Sequence, residues 1–142
     1  MRRFGIVLIC LCVLSACGTF ASVRPLSPTP TVEPAGPAAL TLDGDPVRGE
    51  QLFRVGANNA PPCLSCHALA ESRFGLGPMM LGVEPRVSSR RPGMTAKEYL
   101  YQSITDPKQY VVPGYRDIMP GVYRELYDDQ SIADLIAFLL SR

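Results

Sequence analysis

Apolar residues recur at helical spacing in three stretches of this 142-residue chain. Near the C-terminus Ile132, Leu135, Ile136 and Leu139 fall three or four residues apart, and Phe138 and Leu140 widen the stripe. Asp128 or Asp129 caps that helix. A second helix starts at Thr95-Ala96-Lys97-Glu98, a capping box, and continues through Tyr99, Leu100, Ser103 and Ile104 until Asp106-Pro107 stops it. A third starts at Asp45-Pro46, an N-cap followed by proline at the first helical position. It runs through Val47, Gly49, Leu52 and Phe53 to about Val55, where Gly56 ends it. No stretch alternates as a strand. The pattern predicts an all-α domain over 43–142, with long irregular segments at 56–93 and 107–125. Segments that long inside a compact domain usually serve a ligand.

The N-terminus has a different pattern. Arg2 and Arg3 precede an apolar run from Phe4 to Leu14, too short to span a bilayer as a stable helix. The run ends in Leu14-Ser15-Ala16-Cys17, which resembles a bacterial lipobox. Residues 1–16 then read as a lipoprotein signal peptide, and Cys17 as the lipidated new N-terminus. Several acyl chains on one residue give a firm anchor where a single chain is marginal. An ordinary signal peptide or an uncut anchor is the alternative, and in each case the body of the protein is exported. Residues 17–42 read as a linker, with Pro25, Pro28, Pro30, Pro34 and Pro37 among Thr, Ser and Ala. At about 3.1 Å per residue, polyproline-like chain of this length reaches roughly 75 Å.

Charge narrows the function. Removing residues 1–16 takes Arg2 and Arg3 and no acid, leaving twelve basic and thirteen acidic side chains. No basic stripe suits nucleic acid. The cluster Arg86, Arg90, Arg91 reads as a solvated loop or a contact to a propionate.

Chemistry is concentrated at Cys63-Leu64-Ser65-Cys66-His67. This C-x-x-C-H sequence is the attachment signature of a c-type haem: two thiols reach two vinyl groups, and the imidazole is held over the iron. A redox disulfide and half of a zinc site are the competing readings of a C-x-x-C pair. Zinc lacks further ligands, since His67 is the only histidine. A thioredoxin-like disulfide lacks its βαβ context. One covalent haem c is therefore the expected cofactor. Its attachment outside the cytoplasmic membrane agrees with the export signal.

Over 45–142 the chain resembles the bacterial class I cytochromes c. Gly49 and Phe53 match the glycine and aromatic of that family's first helix, and Phe138 the aromatic of its last, which crosses the first at the glycine. Gly77-Pro78 matches the segment whose proline carbonyl accepts the Nδ1–H of the proximal histidine, here His67. Leu81-Gly82-Val83 and Arg86 match the next segment, in which the arginine contacts a haem propionate. Ser103-Ile104, Asp106-Pro107, Gly114-Tyr115 and Met119-Pro120 continue the likeness. The resemblance implies Met119 as the second axial ligand, a soft thioether on a proline-stiffened loop. Met79 and Met80 read as packing on the proximal side and Met94 as a staple or surface residue. Tyr115 reads equally as a haem or propionate contact and as a packing tyrosine. Two family features are missing: there is no tryptophan, and the only lysines are Lys97 and Lys108.

The resemblance implies a single-electron carrier and no enzymatic activity. A tethered carrier would pass electrons between membrane donor and acceptor complexes, from a quinol-oxidising complex to a terminal oxidase or photosynthetic reaction centre. It would be anchored through Cys17 on the periplasmic or extracytoplasmic side and take no small-molecule substrate. By this likeness the chain is similar to oxidase-associated cytochromes c and to the single-haem subunit of alternative complex III, in lipoprotein form. The alternatives are a fixed haem subunit, a haem enzyme or gas sensor with an open sixth position, and a structural lipoprotein with an inert disulfide.

Overall fold

The structure is a computed structural model and describes residues 35–71 and 75–142. The expected signal peptide, Cys17 and most of the expected linker lie outside the described residues. Among the described residues there are five α-helices and no strand. No described helix is long and apolar enough to cross a membrane.

Helix α1 spans Pro46–Val55 and α5 spans Asp129–Leu140. Asp45 caps α1 by accepting from Val47 N at 2.8 Å and Arg48 N at 3.4 Å. Asp128 caps α5 by accepting from Ser131 N at 2.8 Å. The two helices cross where Gly49 lies against the Asp134 carbonyl and Phe138. Beside that crossing the rings of Phe53 and Phe138 pack at 5.4 Å, tilted by 53°. Both are fully buried, worth roughly 1.5–3 kcal/mol each in transfer free energy.

Asp134 locks the crossing. Its carboxylate is almost inaccessible and accepts from Asp45 N (2.7 Å), Arg48 Nε (2.8 Å), Arg48 Nη2 (3.1 Å) and Gln130 Nε2 (2.9 Å). Burial alone would raise its pKa. The bonds from Arg48, Asp45 and Gln130, with the Arg48 charge, outweigh burial and hold it below the ordinary carboxylate range.

Helix α3 (Ala96–Thr105) starts with the expected capping box: Thr95 Oγ1 accepts from Glu98 N at 3.2 Å, and Glu98 Oε2 accepts from Thr95 N at 2.7 Å. It packs on α5 through Leu100 and Ile104.

The sequence reading left 56–93 and 107–125 irregular. The structure adds α2 (Val83–Val87) in the first segment and α4 (Tyr123–Leu126) in the second, with 3-10 turns at Cys63–Ser65 and Pro107–Gln109. Tertiary contact fixes these short elements: Val83 N bonds the Arg142 carbonyl beyond α5 at 3.0 Å.

Packing also reaches residues within the stretch expected as linker. Ala35 and Ala39 are buried, and Ala35 N donates to the carbonyls of Arg124 and Tyr127 at 2.9 and 3.1 Å. A 3-10 turn at Pro37–Leu40 lies on α5, so packing begins at least as early as Ala35. Small apolar side chains fit there although the local composition resembles open linker.

Candidate functional site

The C-x-x-C-H segment folds as a tight turn. Cys66 N and His67 N both donate to the Cys63 carbonyl, at 3.1 and 2.9 Å. Neither thiol is in a disulfide, and both are partly exposed. Burial pushes the Cys63 thiol up to about 11. A redox dithiol works through a lowered thiol pKa, so this environment argues against that reading.

His67 is buried, and its Nδ1 lies 2.7 Å from the Pro78 carbonyl oxygen. A carbonyl only accepts, so Nδ1 carries the proton and Nε2 keeps its lone pair. Burial lowers the ring's pKa, against the opposing effect of the Pro78 bond, which keeps the imidazole neutral. Gly77 makes the approach possible: a Cβ there would collide with His67 Cε1 and lie 2.8 Å from Nδ1 and 2.9 Å from Nε2.

A single cleft of about 1350 Å³, counted to its open mouth, is lined by Cys63, Cys66, His67, Pro78, Arg86, Tyr115 and Met119. Every described residue singled out for the site therefore faces one space. Met79 and Met80 line it too, and Met94 does not. Phe53, Val83, Leu100, Ile104, Leu135 and Leu139 bring the helical core into the lining. Mostly apolar walls with a few placed polar groups are the usual form of a cofactor site.

Arg86 has a role the sequence did not show. It donates to the carbonyls of Met79 (2.7 Å), Leu81 (2.6 Å) and Gly82 (2.9 Å), pinning the loop that follows Pro78. Arg90 also lines the cleft, while Arg91 stacks over Tyr110 at 5.4 Å and bonds Gln102 at 2.6 Å. Tyr115, Leu76 and Ile118 line the cleft and are exposed. Tyr123, a lining residue beside Cys63, was missed: its partner lies 62 positions away in the chain, beyond the reach of spacing rules.

The arrangement fits the group its motif implies. Two free thiols and a buried neutral imidazole of fixed tautomer share one apolar cleft with a thioether, a donor set suited to a porphyrin iron. Fold and site together define a small class I c-type cytochrome.

No family model matches the chain. Individual relatives do. A cytochrome c2 of Rhodopila globiformis is 33% identical over 108 residues, covering 68% of this chain and 92% of the relative. A cytochrome c2 of Rhodomicrobium vannielii is 30% identical over 118 residues, covering 74% of this chain and 85% of the relative. The chain belongs to this family of class I c-type cytochromes, electron-transfer proteins with one covalent haem c rather than enzymes.

Proposed function

We propose that this protein is an exported single-electron carrier, held at the membrane through Cys17, in which Cys63 and Cys66 bind the haem as thioethers and His67 Nε2 and Met119 Sδ are the axial ligands. The hydrogen bond from His67 Nδ1 to the Pro78 carbonyl carries this reading, because it leaves Nε2 as the ring nitrogen with a free lone pair, on a residue that lines the same cleft as Cys63, Cys66 and Met119. The haem supplies the one-electron ferrous/ferric couple. The chain's own residues do the rest. Burial favours the neutral form of His67, and Pro78 and Gly77 orient the ring. The apolar lining excludes water and disfavours added charge, which raises the potential. A neutral thioether from Met119 acts in the same direction.

Donor and acceptor are membrane complexes: a quinol-oxidising complex on one side, a terminal oxidase or a photosynthetic reaction centre on the other. Leu76, Tyr115 and Ile118, exposed in the cleft lining, support docking through apolar contact, with little electrostatic steering. Lipid tethering keeps the carrier concentrated beside such partners.

The test is the optical spectrum of the purified protein, oxidised and reduced, with a haem stain on a denaturing gel. A covalent low-spin haem whose weak far-red ferric band disappears in Met119→Ala supports the assignment. A high-spin spectrum that shifts readily with CO overturns the axial pair. Mass spectrometry of the mature N-terminus, with Cys17→Ser as control, tests the anchor separately.

A further inference from the structure

One buried hydroxyl in the cleft takes no part in holding the haem on this reading. Tyr123 is 3% exposed, lines the cleft, and donates its hydroxyl to the Pro61 carbonyl at 3.0 Å. Burial, and the Cys63 thiol beside it, raise its pKa, so the hydroxyl remains a donor across the physiological range.

The bond lies at an unusual place in the chain. Pro61 and Pro62 lead directly into Cys63 and have no N–H to donate. A carbonyl is the handle by which another segment can hold them. Two further bonds join the same pair of segments: Ala57 N to Tyr127 Oη at 3.2 Å, and Asn58 Nδ2 to the Leu126 carbonyl at 2.9 Å. Helix α4 is thus stitched to the stretch that delivers the attachment cysteines.

Met119 is four residues before Tyr123, across Pro120 and Gly121. On its N-terminal side, residues 113–118 are exposed, and their turns are local: Tyr115 N to Val112 O, Ile118 N to Arg116 O. Met119 is itself partly buried against the core, and the chain beside it is held firmly on its C-terminal side, where Tyr123 is the first deeply buried residue.

We propose that Tyr123 is a positioning residue that fixes the loop of Met119 relative to the Cys63 attachment turn, so that the thioether stays delivered to the cleft in both oxidation states. This rests on the axial role proposed for Met119. A thioether binds ferric iron weakly, so a small loss of positioning shows as easier displacement by an added ligand.

Tyr123→Phe removes only the hydroxyl and keeps the packed ring. The probe is imidazole binding to the full-length ferric holoprotein, read as loss of the far-red band, with thermal unfolding measured alongside. One neutral hydrogen bond corresponds to a roughly two- to tenfold rise in imidazole affinity. Tyr127→Phe is the comparison: it deletes the bond to Ala57 N, further from Cys63, and costs similar stability. The expected result is raised affinity in Tyr123→Phe with near wild-type affinity in Tyr127→Phe. Unchanged affinity in Tyr123→Phe, or equal rises in both variants tracking their loss of stability, overturns the proposal. Met119→Ala with an unaltered spectrum would instead remove the axial reading beneath it.

Discussion

Replacing Gly49 by alanine adds one methyl group where α1 meets α5. The new Cβ would lie 2.6 Å from the Asp134 carbonyl carbon and 2.8 Å from Phe138 Cβ, against ordinary contact from 3.4 Å. Both neighbours belong to the framework of α5, so no side-chain tip can turn aside. The Asp134 carbonyl oxygen is nearer still, so the helices must part by more than the 0.8 Å between 2.6 and 3.4 Å. Overpacking of this kind costs about 1–3 kcal/mol. Loosening the Phe53–Phe138 pair adds a fraction of the roughly 0.5–1.5 kcal/mol such pairs carry. Alanine returns about 1 kcal/mol through helix propensity. The net expectation is a loss of up to roughly 3 kcal/mol, with a middle value of about 1.5. For a domain of this size, 2 kcal/mol lowers Tm by about 8–16 °C. Thermal unfolding of the holoprotein, followed by haem absorbance and far-ultraviolet circular dichroism, measures it. If propensity dominated, Gly49→Ala would melt at or above the wild-type temperature, and that result would refute the close-crossing argument.

Gly77→Ala should push the His67 ring off the Pro78 carbonyl; we expect a changed ferric low-spin electron paramagnetic resonance signature and poorer haem loading, while an unchanged signature would show the ring has room. Asp134→Asn should cost about 1.5–3 kcal/mol, the range for hydrogen bonds to a charged group. Its folded pKa is depressed, so its contribution is present above the unfolded value of 3.8 and lost as pH falls through the folded pKa. The gap between wild type and Asp134→Asn in urea unfolding should therefore be full at pH 7 and close in strong acid; a gap independent of pH would count against the charged latch. Ala39→Asp should destabilise by about 3 kcal/mol or more through an unpaired buried charge, and unchanged stability would return residues 35–41 to the linker.

The three long helices were readable because their signals are local. Asp45-Pro46, Thr95 with Glu98, and Asp128 each satisfy backbone N–H groups within a few residues. Helix α2 has no side-chain cap, contains Pro85, and follows Gly82 in the left-handed region; its bond to the Arg142 carbonyl is invisible to any local rule. Helix α4 is four residues long, also uncapped by a side chain, and depends on Pro61 far upstream. The packing of Ala35 and Ala39 was illegible for a related reason. Ala35 and Ala39 are small residues in a proline-rich stretch, and only the surface of α5 decides that they are buried. At the site, the C-x-x-C-H turn was legible because spacing specifies it, and Gly77-Pro78 through the family resemblance. The bonding of Arg86 to three carbonyls was not, because arginine's five donors serve a ligand and a loop equally well.

The crossing of α1 and α5 joins the two ends of the domain: Asp45 and Asp134, which bond each other, are 89 residues apart. A chain that emerges N-terminus first cannot make this contact until its last helix has arrived. Closing a loop of that length costs about 2 kcal/mol more than closing one of ten residues. The Cys63–His67 turn, between the two partners, thus remains accessible while the domain is still open. The order of assembly is then written into the topology: attachment has its opportunity first, and the final helix shuts the door behind it.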